Sequence, residues 1–316
     1  MRILISGGAG FIGSNLALSL QDEHEILIID KMQGAEYFEN GNLKSLGHFK
    51  NLLDFHGSLF VADICDEIFL EKIKDFKPDV IFHKAAISDT TVYNQNEVLK
   101  TNLNNFEALI KLCIDLNIKL IYASSASVYG DAKSPQTVDI DERPKNPYAF
   151  SKLMMDRLCQ RYEKELHIVG LRYFNVYGEG EFYKGKTAST ILQFALQILS
   201  NKAPRLFEGS DKIYRDFVYI KDVVNANLMA LDAKSGIYNV GSGVARSFQD
   251  IADILQKELE TNFACEYFAN PYTKNYQFHT QAKLDKSFAY EPKFSLESGI
   301  SSYLPHIKLF AKENNA

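Results

Sequence analysis

Arg2-Ile3-Leu4-Ile5-Ser6-Gly7-Gly8-Ala9-Gly10-Phe11-Ile12-Gly13 carries the most specific pattern in the sequence. A short strand pattern, Arg2 to Ser6, runs into a glycine-rich turn, and the helical spacing of Phe11 to Leu20 follows. Gly8, Gly10 and Gly13 satisfy G-x-G-x-x-G in the strand-turn-helix context that the motif requires. Glycines let the backbone turn tightly and approach a pyrophosphate, whose charge then sits against helix N–H groups and the positive end of the helix dipole. Gly7, Gly10, Phe11, Ile12 and Gly13 are therefore candidate contacts to a dinucleotide.

Outward from this stretch, strand patterns recur at Glu25 to Ile29, Ser58 to Ala62, Asp79 to Phe82, Leu120 to Ser124 and Ile168 to Arg172. Helical spacing covers Asp66 to Asp75, Glu97 to Asn117 and Tyr148 to Glu165. Alternation of this kind predicts α/β architecture, a Rossmann-type doubly wound parallel sheet. After Arg172 the texture loosens: a helix near Thr187 to Asn201, strands at Asp216 to Ile220 and Ile237 to Val240, and a helix near Phe248 to Leu259. Residues 1–173 plus about 216–247 are expected to form the dinucleotide-binding domain, and 174–215 plus about 248–316 a smaller C-terminal substrate lobe. Such a lobe closes the crevice at the carboxyl ends of the strands, where open α/β sheets bind ligands. Lys31 to His56 is long for a connection and holds the turn pair Asn40-Gly41, so a surface excursion is expected.

Asp30 ends the second strand pattern twenty residues after Gly10, where an acid meets the adenosine ribose. Lys31 and Lys50 could instead neutralise a 2′-phosphate, or be solvated surface charges; the cofactor taken is NADP, with NAD open. Asp63 is placed to meet the adenine or to cap the next helix. Tyr148 and Lys152 fall one helical turn apart on one face. A free tyrosine titrates near pH 10, so a neighbouring ammonium is needed to hold its phenolate at neutral pH. Ser125, at the end of a strand, would hold the substrate oxygen while its proton leaves.

The net charge of -5 and the lack of a Lys/Arg block argue against nucleic acid. No apolar stretch approaches the roughly 18–20 residues of a membrane span. Cys65, Cys113, Cys159 and Cys265 form no C-x-x-C pair and show no short-range ligand pairing with the His residues, so a reduced cytoplasmic enzyme without metal is expected.

The order of these motifs resembles the extended short-chain dehydrogenase/reductase superfamily over essentially the whole length. It adds His83-Lys84-Ala85-Ala86 after the fourth strand and Asn102 on a helix. The resemblance implies an enzyme acting on nucleotide sugars, with Ala85, Ala86, Ser88, Asn102 and Val176 as further cofactor contacts. Ser88-Asp89-Thr90-Thr91, Leu171 to Gly178, Leu206 to Ser210, Arg215 to Tyr219 and Tyr276-Gln277 are similar to the ADP-glyceromanno-heptose 6-epimerase family of lipopolysaccharide core synthesis. That likeness implies an isomerase on an ADP-heptose substrate, a homo-oligomer, and Tyr148 with Lys184 as the acid/base pair. It makes Lys152 a cofactor ligand, with Lys184 also beside the cofactor. Around the substrate it puts Ser88, Asn175, Lys186, Gln193, Phe207, Glu208, Gly209, Ser210, Arg215 and Tyr276. Lys186 and Gln193 depart from the family's Ser and His. Taken singly, Lys184 reads as a surface lysine, Phe207 as core, Asn175 as a turn residue and Arg215 as the partner of Asp216 or a nearby acid.

Rival readings remain. A 4,6-dehydratase needs an acidic pair after the Ser, where this chain has Ala126-Ser127. A 4-epimerase differs only in the substrate lobe, and a non-catalytic dinucleotide sensor would be expected to lose Tyr148 or Lys152.

Overall fold

The computed structural model describes residues 1–271 and 277–314. β1 (Arg2–Ser6), α1 (Phe11–Leu20), β2 (Glu25–Asp30), β3 (Ser58–Val61), α2 (Glu67–Phe76), β4 (Val80–His83), α3 (Gln95–Leu99), α4 (Asn105–Leu116), β5 (Lys119–Ser125), α5 (Pro147–Tyr162) and β6 (Ile168–Tyr173) follow one another. Next come β7 (Asn175–Tyr177), α6 (Thr190–Leu199), β8 (Arg205–Phe207), β9 (Tyr214–Tyr219), α7 (Ile220–Met229), β10 (Gly236–Val240), β11 (Ala245–Ser247), α8 (Phe248–Glu258), β12 (Glu266–Phe268) and α9 (Leu296–Glu313).

The central sheet runs β10-β6-β5-β4-β1-β2-β3, and every pair in it is parallel. Strand order reverses at β1, so β1 and β4 part their connections to opposite faces and open a crevice beyond Ser6 and His83. Successive side chains of β1 enter different cores, as a pleated strand demands. Ile3 and Ile5 pack with Leu16, Val223 and Ala226, while Leu4 packs with Phe69, Leu109 and Met155. Burial on both faces explains why these strands read as continuous apolar runs rather than alternating ones.

The expected return segment, about 216–247, divides in the structure. β9 joins β7 and β11 in a separate three-stranded sheet, and only β10 enters the central one, beside β6. The lobe adds a two-stranded β12-β8 sheet and α6, α8 and α9, which pack on one another.

Glu97 to Asn117, expected as one helix, is two. A π-helical turn at Lys100–Asn104 separates α3 from α4, and it turns Asn102 into the core at 2% exposure. α5 begins where its cap dictates: the Asn146 side chain accepts from the Ala149 N–H at 2.8 Å, and Pro147 occupies the first turn, where no N–H is needed. No helix among the described residues is long and apolar enough to cross a membrane.

Candidate active site

A cleft of about 680 Å³ lies over the carboxyl ends of β1, β4 and β5, walled on the other side by the lobe. At its floor Gly10 is the N-cap of α1 and offers no side chain to the first turn. The helix also sits flush on the loop: a Cβ at Gly13 would lie 2.2 Å from the Gly7 carbonyl oxygen. A helix N-terminus without a side-chain cap, facing a cleft, suits a pyrophosphate, so these residues fit the dinucleotide expected from the sequence. Gly7, Gly10, Phe11, Ile12, Gly13, Ala85, Ala86, Ser88 and Val176 all line this cleft.

At the end of the cleft expected to take the adenosine, Asp30, Lys31 and Asp63 line the same space. The Asp30 carboxylate accepts from the N–H groups of Ala9 (3.0 Å) and Met32 (2.8 Å). Burial pushes its pKa up, against the pull of those two donors. Lys31 meets Asp63 at 3.3 Å. Lys50 is not brought to the cleft: its ammonium lies 5.8 Å from the Tyr183 ring centroid. The excursion between β2 and β3 folds back as a strap whose Phe38, Leu43, Lys44 and Gly47 also line the cleft. Asn40 and Asn42 donate to Asp89 Oδ2 at 2.9 and 2.7 Å, Lys44 pairs with Glu97 at 2.6 Å, and Phe38 is buried among Ile87, Val92 and Val98.

Ser125 from β5 meets Tyr148 and Lys152 from the first turns of α5. Burial raises the Tyr148 pKa, and a hydrogen bond with Ser125 works against that rise. The Lys152 ammonium lies 5.9 Å from the Tyr148 ring centroid. Lys152 is 2% exposed, and burial brings its pKa down to about 8, opposed by Asp156. One turn further along α5, Asp156 locks the helix to the sheet. It accepts from Tyr122 (2.7 Å), Ser124 (2.9 Å) and Arg172 Nε (2.8 Å), and the buried Arg172 also bonds Glu142. Breaking such a buried, paired network costs several kcal/mol, which makes it a firm reference for Tyr148 against Ser125.

Lys184 lines the cleft from a separate element, at the N-cap of the single 3-10 turn Gly185–Thr187 between β7 and α6. Its Nζ lies 5.3 Å from the Phe11 ring centroid; burial lowers its pKa and the Glu181 charge opposes this. Neighbouring residues anchor that stretch outward. Phe182 stacks on Phe310 of α9 at 4.6 Å, and Tyr183 stacks on His48 at 3.8 Å.

Asn175, Lys186, Phe207 and Arg215 line the lobe side. Arg215 is no ion-pair partner of Asp216, whose carboxylate instead accepts from Ser242, Gly243 and Ala282. Other expected contacts stand back from the cleft. Asn102 exchanges hydrogen bonds with Ile87 and donates to Ser151 at 3.0 Å, so it holds the cleft wall from behind. Gln193 donates to the Ala188 carbonyl at 2.7 Å and supports the Lys184 stretch. Glu208 N–H pairs with Phe268 in the lobe sheet, Gly209 takes a positive φ at that turn, and Ser210 donates to the Phe207 carbonyl. Tyr276 lies outside the described residues.

Lys84 escaped the sequence reading. It lines the cleft and donates to the Tyr173 hydroxyl at 3.0 Å, and burial with the nearby Lys152 charge pushes its pKa well down. Only its place between His83 and Ala85 signalled it.

Residues 3–241 match the NAD dependent epimerase/dehydratase family. ADP-L-glycero-D-manno-heptose-6-epimerase of Brachyspira hyodysenteriae is 37% identical, covering 95% of this chain and 96% of its own. The crystal structure of the enzyme of that name from Helicobacter pylori is 46% identical over 97% of this chain and 96% of its own, with a TM-score of 0.89. UDP-glucuronic acid 4-epimerase from Bacillus cereus, solved with UDP-glucuronic acid and NAD, is 27% identical over 98% of this chain and 100% of its own, with a TM-score of 0.84. The chain therefore belongs to the NAD dependent epimerase/dehydratase family and, within it, to the ADP-L-glycero-D-manno-heptose-6-epimerases.

Proposed function

We propose that this chain inverts C6 of the heptose in ADP-D-glycero-D-manno-heptose through a 6-keto sugar, supplying ADP-L-glycero-D-manno-heptose for lipopolysaccharide core synthesis. The observation that carries this reading is that two proton-transfer groups, Tyr148 and Lys184, line one cleft from separate walls. C6 bears a hydroxyl and is not acidic, so deprotonation alone cannot epimerise it. A bound nicotinamide supplies removal of hydride from C6 and its return to the other face.

The chain's own residues do the rest. The α1 N-terminus and its glycine loop hold the pyrophosphate, Lys152 anchors the cofactor's sugar side, and Ser125 holds the C6 oxygen. Tyr148 carries the proton of that oxygen in one presentation of C6, its phenolate held by the Lys152 charge. Lys184 Nζ does so when C6 presents its other face. Asn175, Lys186, Phe207 and Arg215 hold the ADP-sugar, with Arg215 suited to the diphosphate because its fork bonds phosphate oxygens in pairs.

A nicotinamide cofactor follows from the family; NADP is the finer proposal. Asp30 accepts one backbone N–H on each carboxylate oxygen and keeps acceptor capacity for a ribose hydroxyl, so the NADP reading rests on Lys31. Lys31 can turn from Asp63 to a 2′-phosphate, whereas Lys50 points elsewhere. Lys31→Ala should weaken NADP binding about tenfold and leave NAD nearly unchanged; equal effects on both would remove the preference.

The deciding experiment incubates the protein with ADP-D-glycero-D-manno-heptose and, separately, UDP-galactose, and follows the anomeric and C6 proton signals by NMR. Inversion of the heptose alone is expected. Inversion of the galactose alone would make the chain a 4-epimerase.

A further inference from the structure

Lys184 is the N-cap of a single 3-10 turn, Gly185–Thr187, too short to aim it by itself, and Glu181 packs at the base of the same stretch. This carboxylate is 0% exposed. One oxygen accepts from the Gly178 N–H at 3.1 Å and the Ser189 hydroxyl at 2.8 Å, the other from the Ser189 N–H at 2.6 Å. Gly178 ends the strand region of β7, and Ser189 is the N-cap of α6, where its hydroxyl also accepts from Leu192 N–H at 3.2 Å. A single side chain thus joins the two ends of the stretch that carries Lys184. Within the closed loop, backbone bonds run from Lys184 N–H to the Glu181 carbonyl (3.1 Å) and from Thr187 N–H to the Lys184 carbonyl (3.2 Å). Phe182 and Tyr183 are held outward on Phe310 and His48, so the next residue, Lys184, faces the cleft.

We infer that Glu181 is the positioning residue for Lys184: by stapling Gly178 to Ser189 it closes the loop that presents the Lys184 amine to the substrate. Burying a carboxylate is costly unless it is fully bonded. Here three donors meet it, and burial still pushes its pKa up. Its charge also opposes the loss of the Lys184 proton in this buried setting. A solvated glutamate on the outside of the loop would do neither. The inference rests on the proposed role of Lys184 as the second acid/base.

Displacement of a reacting group by about 1 Å is enough to cost roughly 100-fold in rate. Glu181→Ala should therefore lower kcat about 100-fold while KM for the ADP-sugar stays within about threefold. Glu181→Gln keeps the shape but replaces one acceptor oxygen with an amide N–H donor; it should fall about tenfold. The decisive arm is the combination: Glu181→Ala with Lys184→Met should be no slower than Lys184→Met alone, because both remove the same contribution. Amide hydrogen exchange of the whole protein gives a readout without substrate, with Gly178 and Ser189 expected to lose protection in both Glu181 variants. Multiplying losses in the double variant, or unchanged kcat in Glu181→Ala, would overturn the inference. Should Glu181→Ala fail to fold, the same cycle run with Glu181→Gln decides it. Near-normal turnover by Lys184→Met would instead bring down the acid/base reading of Lys184, and the exchange data would then decide whether the staple itself exists.

Discussion

Tyr148 and Lys184 reach one cleft from backbones of opposite character. Tyr148 stands in the first turn of a 16-residue helix, started by Asn146 and tied to the sheet by Asp156 and Arg172. Lys184 stands on an irregular stretch that one buried glutamate closes and two aromatic residues pull outward. The first arrangement spreads the task of holding the group over many backbone bonds, and the second concentrates it on few side chains. An enzyme that must act on both presentations of one carbon needs a fixed group on one side and one on a separately built wall on the other. The contrast predicts that the helix-borne group tolerates changes in its surroundings, while the loop-borne one depends on single neighbours.

The widest gap is expected at Tyr148. Tyr148→Phe should lower kcat by about a thousandfold or more, because it removes the hydroxyl proposed to carry the proton, with the melting temperature nearly unchanged. Lys184→Met should lose about a hundredfold in inversion yet still let one epimer reduce the bound cofactor, seen as absorbance near 340 nm. If neither epimer gives that signal, the two walls do not divide the work. Arg215→Ala tests the lobe side: KM should rise about 10- to 100-fold with kcat within a few-fold, as for an interaction equal in ground and transition states. An unchanged KM with a lower melting temperature would make Arg215 a structural residue.

The smallest effect is on stability. The folded-state pKa of Lys152 is about 8 against an ordinary 10.5, so below pH 8 the fold carries the cost of a buried ammonium. The unfolded chain holds that proton up to 10.5, and stability from this group rises as pH climbs through the window between the two values. Removing the charge should relieve about 3 kcal/mol, from the size of the shift. Lys152→Met without cofactor should thus melt about 2–6 °C higher at pH 7, and the difference should shrink toward pH 10.5. A difference that does not depend on pH would place the effect in packing.

The parts of the fold that repeat a simple period were legible. Phe11 to Leu20 is α1 as its spacing predicts, and the parallel sheet follows from strands buried on both faces. A period cannot announce an inserted residue, so the π-helical turn at Lys100–Asn104 was hidden inside an even helical pattern. It also could not announce α9, whose interior Pro305 breaks the expected spacing. In the site, residues on regular elements were legible by spacing, as with Tyr148 and Lys152. Residues on irregular backbone were not: Lys50 was sequence-adjacent to the right region, but its ammonium lies over the ring of Tyr183, far away in the chain. Glu181 follows a glutamate and a glycine, Glu179-Gly180, where an acid reads as solvated; its burial arises only once β7 and α6 are in place.

The strap across the adenosine end bears on how long a ligand stays. Asp89 collects the amides of Asn40 and Asn42 together with the N–H and hydroxyl of Thr91, and Lys44 with Glu97 ties the far side. A dinucleotide held beneath it is expected to leave only as fast as this local knot opens. A diffusible co-substrate would then become a resident part, one molecule serving successive turnovers. On that expectation, flux would depend on the supply of sugar and not on the oxidised-to-reduced ratio of the surrounding pool. Gel filtration should leave the dinucleotide in place, and Asp89→Ala should strip it.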